Sequence, residues 1–218
     1  MIAAVAPPLA ALFAALSSRF GGDGEPLAPL DEDVIARLVE QARAGDAGAR
    51  RTLYTQHVDR VFRTVRGMLR SDADAEDVTQ DALLAVLTSL NTYSPRADAR
   101  FAAWVTTIAV NTVRRRFRRR RPEVTATGEL PETPDEAADP GDDLDRARER
   151  RALLIALGEL PERERVIVSL RYGGELNASE IAGAVGIEPA TIRKILERAR
   201  TRLGARIETL LKPVGGTS

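Results

Sequence analysis

The residues best suited to bind an anion lie together near the middle of the chain, where seven of eight consecutive positions are arginine. They are Arg114, Arg115, Arg116, Arg118, Arg119, Arg120 and Arg121, with Phe117 among them. No acidic residue lies nearby in sequence to pair with them, and guanidinium groups bind phosphate through two parallel hydrogen bonds. The run therefore predicts neutralisation of a nucleic-acid backbone. The alternative is a solvated helix end that the helix dipole favours.

A second pattern, from Ala178 to Ile195, predicts a helix-turn-helix. Ala182 is small where two helices would cross, Gly186 tolerates the positive φ of a tight turn, and Pro189 suits the first turn of the second helix. Aliphatic residues fill the expected buried positions, Ile181, Val185, Ile187, Ile192 and Ile195. The N-terminal part of such a second helix enters the major groove. Its candidate contacts to bases or phosphates are Thr191, Arg193, Lys194, Glu197 and Arg198; the alternative is a solvated face of Glu–Arg pairs.

A third pattern is acidic and consists of Asp72, Asp74, Glu76, Asp77 and Asp81. On a helix, positions 74, 77 and 81 share one face. Three interpretations stay open: a metal site, a solvated helix start, and a docking surface for a basic partner. The chain has no Cys and a single His, His57. We therefore expect no thiolate or multi-His metal site, no cofactor and no catalytic nucleophile arrangement.

The net charge is zero, with 32 basic and 32 acidic residues, but the charges are segregated along the chain. Residues 96–121 carry 9 bases and one acid, whereas residues 122–145 carry 9 acids and no base. A basic block beside an acidic one favours contact with nucleic acid.

Helical periodicity without alternating strand patterns predicts an all-α fold with two small helical domains. We expect a helical bundle at residues 31–121 and a helix-turn-helix domain at residues 144–212. Between them, residues 122–143 are acidic and contain prolines, which predicts a flexible linker that lets the domains sit well apart. Residues 1–30 form an N-terminal extension and residues 213–218 a tail.

The N-terminal extension is expected to be either flexible or a short helix that docks on this protein or on a partner. One helical face carries apolar residues, Leu9, Leu12, Phe13, Leu16 and Phe20. No Lys or Arg precedes the apolar stretch and Pro7-Pro8 interrupts it, so we expect no export signal. No apolar run is long enough to cross a bilayer. These features predict a cytoplasmic protein without membrane contact of its own.

The segment before the arginine run contains Ser94-Pro95 and is expected to form a loop from Asn91 to Arg100. A helix from about Ala99 to Arg119 follows. Phe101 and Trp104 near its start are either core residues or platforms on which unpaired bases stack.

Several motifs in a fixed order resemble a known family. The stretch Asp74-Ala-Glu-Asp-Val-Thr-Gln-Asp81 precedes Phe101-Ala-Ala-Trp-Val-Thr-Thr-Ile-Ala-Val-Asn111 and the arginine run. After the acidic segment come Leu160-Pro-Glu-Arg-Glu-Arg-Val166 and Glu180-Ile-Ala within the helix-turn-helix. Over residues 31–121 and 144–207 this order resembles the extracytoplasmic-function (group IV) sigma factors of bacterial RNA polymerase.

The resemblance implies a transcription initiation factor without catalytic activity. Its acidic helix would dock on the clamp coiled coil of the largest polymerase subunit through Asp74, Glu76, Asp77, Gln80 and Asp81. The following loop and helix would recognise and help melt the −10 element, with candidate contacts at Asn91, Tyr93, Arg96, Trp104, Asn111, Arg114, Arg115, Arg118 and Arg119. The helix-turn-helix would read the −35 element, and its domain would contact the flap of the second-largest subunit. An anti-sigma factor is a further expected partner.

The chain departs from the family pattern in two places. The acidic motif, which in the family often ends in Glu followed shortly by an aromatic residue, here ends in Asp81 followed by Leu84, and the recognition helix begins Ala190-Thr191-Ile192 in place of Gly-Thr-Val. These departures bear mainly on which promoter sequence is recognised. The N-terminal extension has no counterpart in the minimal family, and we expect it to regulate the protein by covering a DNA- or polymerase-binding face.

Two other functions compete with the interpretation as a sigma factor. One is an ordinary helix-turn-helix regulator with a helical effector domain, and the other a metal-dependent nuclease that uses the acidic cluster.

Overall fold

The computed structural model describes residues 9–14, 16, 30–97, 99–118 and 144–212, and the backbone alone at 119 and 120. Regular structure in these ranges is helical. The helices are α1 (Leu9–Ala14), α2 (Glu32–Arg43), α3 (Ala47–Met68), α4 (Asp72–Thr88), α5 (Phe101–Arg120), α6 (Leu144–Gly158), α7 (Glu162–Val168), α8 (Ala178–Val185) and α9 (Pro189–Leu211), with a 3-10 turn at Leu90–Thr92 and a π-helical turn at Ser169–Gly173. The predicted linker, residues 122–143, and tail, residues 213–218, lie outside the described residues.

The first domain is a bundle of α2 to α5, and its helices begin at residues that satisfy free backbone N–H groups. Asp31 accepts from the N–H of Asp33, and Asp46 accepts from the N–H of Ala49 at 2.7 Å. Ser71 accepts from the N–H of Asp74 at 3.3 Å and thereby starts α4. Large side chains close the centre of the bundle, among them Leu53, Phe62, Leu83 and Phe101.

The second domain contains the predicted helix-turn-helix in α8 and α9. Asn177 and Glu180 form a reciprocal capping box at the start of α8. Gly186 ends α8 in the left-handed region, at φ 71°, as the turn requires. Pro189 occupies the first turn of α9, where its missing N–H costs no hydrogen bond. The predicted fold class, two helical domains, is confirmed.

The two domains are packed against each other rather than held well apart. Ile167, Leu170 and Leu176 of the second domain, together with Ile181 and Ile192, belong to the same apolar cluster as the core of the first domain. The approach is close at Gly173, where a β-carbon would lie 2.8 Å from the backbone nitrogen of Thr64 in α3. In this conformation each domain exposes an apolar face that the other covers, and burial of these faces holds the two domains together.

A second apolar cluster of the second domain lies between α6 and α9. Helix α1 of the N-terminal extension packs into it. Of the two alternatives for the extension, the structure contains the short docked helix, and its contacts are described below. No helix within the described ranges combines the length and apolar character needed to cross a membrane.

Candidate protein and nucleic-acid interfaces

The acidic cluster lies on α4 and presents one exposed stripe to solvent. Asp77, Gln80, Asp81 and Leu84 follow one another at helical spacing, and all four are exposed. The side chain of Asp77 is 65% accessible and Leu84 is 60% accessible. The opposite face of α4 is buried in the bundle through Ala75, Val78, Thr79, Ala82, Leu83 and Val86. The stripe combines carboxylates with an exposed leucine. This combination is better suited to contact a basic protein surface than to bind a metal cation.

The prediction that the arginine run has no acidic partner is wrong for Arg116. Its guanidinium bonds Asp74 at 2.6 Å and Asp77 at 3.3 Å, across the α4–α5 contact. Burial lowers the pKa of Arg116, but the hydrogen bonds from its guanidinium to Asp74 and Asp77 outweigh this and raise it. The acidic residues on α4 and the run on α5 are thus one connected surface. Asp74 and Glu76 are half-buried, whereas Gln80 and Asp81 are exposed.

The other arginines of the run whose side chains the structure describes are exposed to solvent. Asn111, Arg114, Arg115 and Arg118 are exposed on α5. Thr112 and Val113 are buried and anchor this part of the helix to the bundle. The side chain of Arg119, and Arg120 and Arg121, lie outside the described side chains. The exposed arginines form a cationic strip, beside the acidic stripe of α4, that can follow a phosphate backbone.

An aromatic cluster supports the loop between α4 and α5. The Tyr93 ring lies 4.9 Å from Phe101 and 5.0 Å from Trp104, measured between ring centroids. Phe101 is fully buried and Trp104 half-buried, so Phe101 is a core residue and Trp104 has one side available. The Tyr93 ring is also buried, whereas Asn91 and Arg96 are exposed. Four of the predicted −10 contacts, Asn91, Tyr93, Arg96 and Trp104, thus lie on or beside one loop, and Tyr93 supports it from inside.

Two residues that sequence reasoning missed hold this loop. Arg43 of α2 donates to the carbonyl oxygen of Leu90 at 2.9 Å and to the carbonyl oxygen of Tyr93. Glu32 accepts from the backbone N–H of Phe101 at 3.1 Å and so caps α5. Arg43 and Leu90 are 47 positions apart. A contact at that separation has no local signature in the sequence.

A cavity of about 430 Å³ lies between α2 and this loop. Its walls are Ala36, Arg37, Val39, Glu40, Gln41, Tyr93 and Pro95. The lining combines apolar residues, Ala36, Val39 and Pro95, with the polar residues Arg37, Glu40 and Gln41. Such a cleft offers an apolar surface for a flat ring together with hydrogen-bonding groups for its edge.

His57 lies beneath the aromatic cluster, with its ring 5.2 Å from that of Phe101. Burial, and to a smaller extent the charge of Arg60, lowers the pKa of His57 to about 4. Neither ring nitrogen has a hydrogen-bond partner among the described residues. His57 is therefore a neutral packing residue in the folded protein rather than a ligand or an acid–base group.

The predicted DNA-reading face of α9 is open. Thr191, Arg193, Lys194, Glu197 and Arg198 are all exposed. The opposite face is buried through Ile192, Ala199, Leu203 and Ile207. No group of three or more potential metal-ligating side chains is found within the described ranges. The predicted contact residues are thus all accessible, as a helix that enters the major groove requires.

Ion pairs cross the seam between the two domains. Arg100, at the end of the loop, bonds Glu180 of α8 through Nε at 2.8 Å and through its terminal nitrogen at 2.9 Å. Burial alone would raise the pKa of Glu180, but the hydrogen bonds from Arg100 and Asn177 lower it, so the carboxylate stays ionised. Glu175 bonds Arg60 at 2.9 Å and Arg63 at 2.8 Å. These contacts join the loop of the first domain to the helix-turn-helix of the second.

Comparison with known proteins gives two family matches. Residues 53–123 match the model of Sigma-70 region 2, and residues 156–204 match that of Sigma-70, region 4. The chain is 34% identical to the ECF RNA polymerase sigma factor BldN of Streptomyces coelicolor, over 80% of this chain and 66% of that protein. It is also 34% identical to the ECF RNA polymerase sigma factor ShbA of Streptomyces griseus, over 80% of this chain and 96% of ShbA.

A solved structure shares the fold. The sigma factor RpoE from Bartonella quintana, in complex with the anti-sigma factor NepR, superposes with a TM-score of 0.52. The alignment covers 84% of this chain and 100% of that one, at 18% sequence identity. At this identity the likeness concerns the arrangement of helices.

Proposed function

The chain belongs to the ECF sigma factors of RNA polymerase, and from this premise we propose that it binds core polymerase, directs it to particular promoters and aids their melting. One observation carries the proposal. Regions 2 and 4 occur in order on two helical domains, and the α4 stripe and the α9 face are exposed on those domains. As a sigma factor the protein initiates transcription without catalysing a reaction, since the bond chemistry belongs to the polymerase. It acts where the polymerase acts, in the cytoplasm.

The α4 stripe is the proposed docking site for the clamp coiled coil of the largest polymerase subunit. Asp77, Gln80 and Asp81 supply acceptors for basic side chains, and Leu84 supplies an apolar centre. Interfaces of this kind combine an apolar anchor with a polar rim. Arg116 holds Asp74 and Asp77 in place, so part of the acidic surface is ordered before the partner arrives.

The loop and the cationic strip are the proposed −10 site. Strand separation requires a protein surface that captures a base once it leaves the stack. The cleft beside Tyr93 and Pro95 has the dimensions and the mixed apolar and polar lining for one base. Exposed Arg114, Arg115 and Arg118 would neutralise phosphates of the same strand without reading sequence.

The α9 face is the proposed −35 site, with Arg193 and Lys194 near the N-terminal end of the helix, where base edges are read. The −10 and −35 elements lie about 25 base pairs apart, which is roughly 85 Å of B-DNA. In the present conformation Arg100 beside the loop and Glu180 of the helix-turn-helix are 2.8 Å apart. Both elements are therefore read together only after the two domains separate.

An anti-sigma factor is a proposed further partner, since RpoE, which shares the fold, was solved with one. The packed arrangement of the two domains gives such a partner a conformation to stabilise. A partner that binds the packed arrangement more tightly lowers the population of the separated one. The difference between its affinities for the two arrangements sets the size of this shift.

In vitro transcription tests the proposal. Purified bacterial core polymerase and a library of genomic templates are assayed with and without this protein. We expect initiation at a defined set of start sites only when the protein is present. Initiation that does not depend on the protein, combined with tight binding of palindromic duplex DNA in the absence of polymerase, would instead indicate an ordinary helix-turn-helix regulator.

A further inference from the structure

Helix α1 lies outside both matched regions, residues 53–123 and 156–204. Its apolar side chains lie at positions i, i+3, i+4 and i+7 and are all buried: Leu9, Leu12, Phe13 and Leu16. Ala10, Ala11 and Ala14 face solvent. A helix of six residues is too short to persist in water by itself. The contacts of the apolar face therefore hold the segment in helical form.

The groove that receives α1 belongs mainly to the second domain. It is formed by Leu153 and Leu157 of α6, Val168, and Leu203 and Ile207 of α9, which make up one apolar cluster with the α1 side chains. The ring of Phe13 stacks on that of Tyr172, with centroids 5.8 Å apart and planes inclined by 26°. Phe13 fills the deep end of the groove and is fully buried.

Phe13 also reaches the first domain. A β-carbon on Gly67 of α3 would lie 3.0 Å from Cε1 of Phe13 and 3.1 Å from the β-carbon of Ser169. One aromatic side chain thus touches α3 of the first domain and the π-helical turn of the second at the point where the domains meet. The segment packs across the seam, on the side of the second domain away from the exposed α9 face.

We propose that the second domain carries a groove for an amphipathic helix, and that residues 9–16 of this chain occupy it as an internal clasp that keeps the two domains together. Leu16 is 14 positions before Leu30, so the clasp is tethered to the first domain. A short tether gives an effective concentration of roughly millimolar. The groove is filled in the packed arrangement and is emptied or reshaped when the domains separate.

The consequence for polymerase binding rests on the function proposed above. If promoter recognition needs separated domains, the clasp lowers the population of the active arrangement. A packed state ten times as populated as the separated one weakens apparent polymerase binding about tenfold. A partner helix with the same apolar spacing would compete with residues 9–16 for the groove.

Distance measurement between the domains tests the clasp directly. The chain has no cysteine, so R51C on α3 and T201C on α9 introduce two unique labelling sites, both at exposed positions. Energy transfer between dyes is compared in three full-length proteins: the labelled parent, L12E/F13E, and the matched control A10E/A11E. The control adds the same two charges to the exposed face of the same helix.

We expect the control to keep the distance of the parent, and L12E/F13E to give a longer and broader distribution. Identical distributions in L12E/F13E and the control would overturn the proposal. Circular dichroism verifies that each variant is folded. If L12E/F13E does not fold, the smaller change F13A is measured in its place; it is expected to lengthen the mean distance, and a distance equal to that of the parent would again overturn the clasp.

A measurement of core polymerase binding distinguishes failure of the clasp from failure of the proposed sigma-factor function. L12E/F13E is expected to bind core polymerase about tenfold more tightly than A10E/A11E. Equal binding by two variants that differ in distance would remove the claim that the clasp opposes polymerase binding. Failure of every form, the parent included, to bind core polymerase would contradict the sigma-factor function and leave the distance result to decide the clasp.

Discussion

His57 makes the stability of the first domain depend on pH in a window that the structure defines. The pKa of its buried imidazole is about 4, compared with 6.5 for an exposed histidine. Between these values the unfolded chain binds a proton at this position and the folded protein does not, so the free energy of unfolding falls as the pH falls from about 6.5 to about 4. Below about 4 both states are protonated and the loss attributable to His57 is complete.

The magnitude follows from the difference between the two pKa values. A shift of about 2.5 units, at about 1.4 kcal/mol per unit, amounts to roughly 3 kcal/mol lost across the window. That is a large part of the stability of a small domain, which is about 5–15 kcal/mol. The His57 ring contacts Phe101, which in turn packs against Tyr93 of the loop.

Urea unfolding of the parent protein and of His57→Leu measures this effect. Trp104 is the only tryptophan in the chain and lies 5.4 Å from Phe101, so its fluorescence reports on this cluster. Leucine is apolar, of similar size, and does not titrate. Other groups contribute to both proteins; burial raises the pKa of Asp59, for example, and this contribution cancels in the comparison.

We expect the stability of His57→Leu relative to the parent to increase by roughly 3 kcal/mol when the pH is lowered from about 7.5 to about 4. A difference between the two proteins that stays constant over this range would refute the assignment. It would mean that the imidazole is solvated or hydrogen-bonded in the folded protein.

The remaining predictions concern the interfaces. D77K/D81K is expected to weaken core polymerase binding at least tenfold, because two acceptors on the α4 stripe become cations; pull-down titration measures it, and unchanged affinity would remove the docking site from α4. Arg193→Ala should alter the preferred −35 sequence in a selection from randomised promoters, at a cost of about 1–3 kcal/mol for the original base. Arg118→Ala should weaken promoter binding similarly for all sequences and reduce the salt slope by about 1. Glu180→Gln should lower the free energy of unfolding by about 2 kcal/mol, because the buried partner of Arg100 loses its charge; equal urea midpoints would argue against a bond at that seam.

Two of these predictions have matched controls in the chain. D33K/E162K makes the same change in net charge at exposed positions away from α4, and we expect it to leave core polymerase affinity unchanged. Arg200→Ala removes an arginine from the exposed surface of α9 outside the predicted base-reading set, and we expect the −35 preference to stay as it is. A control that behaves like its test variant would point to net charge rather than to the specific face.

The helix-turn-helix shows which features can be predicted from the sequence. Asn177, Gly186 and Pro189 each obey a rule that involves only neighbours a few residues away: a side-chain cap, a left-handed turn residue and a proline in a first helical turn. Pro189 likewise marks the start of α9, which spans Pro189–Leu211. The α4 stripe and the α9 face likewise follow from helical periodicity alone.

Arg116 and Arg43 show where such reasoning ends. Local sequence suggested seven unpaired arginines, yet Arg116 meets Asp74, which is 42 positions away. Arg43 reaches the carbonyl oxygens of a loop 47 and 50 positions away. No sequence period or motif signals either pairing, because each pairing depends on how whole helices are placed relative to each other.

The sequence by itself determined most of the helices, the caps supplied by residues adjacent to their own helix, the exposed and buried faces, and the order of motifs that identifies the family. All of these depend on short-range spacing along the chain. The tertiary structure alone decided which faces meet. It brought the two domains into one apolar cluster, joined Arg100 to Glu180, and placed Phe13 against Tyr172 at the seam. The physical reason is that burial of apolar surface is non-directional. The sequence pattern of a helix therefore predicts that its apolar face will be buried, but it does not predict which element will cover that face.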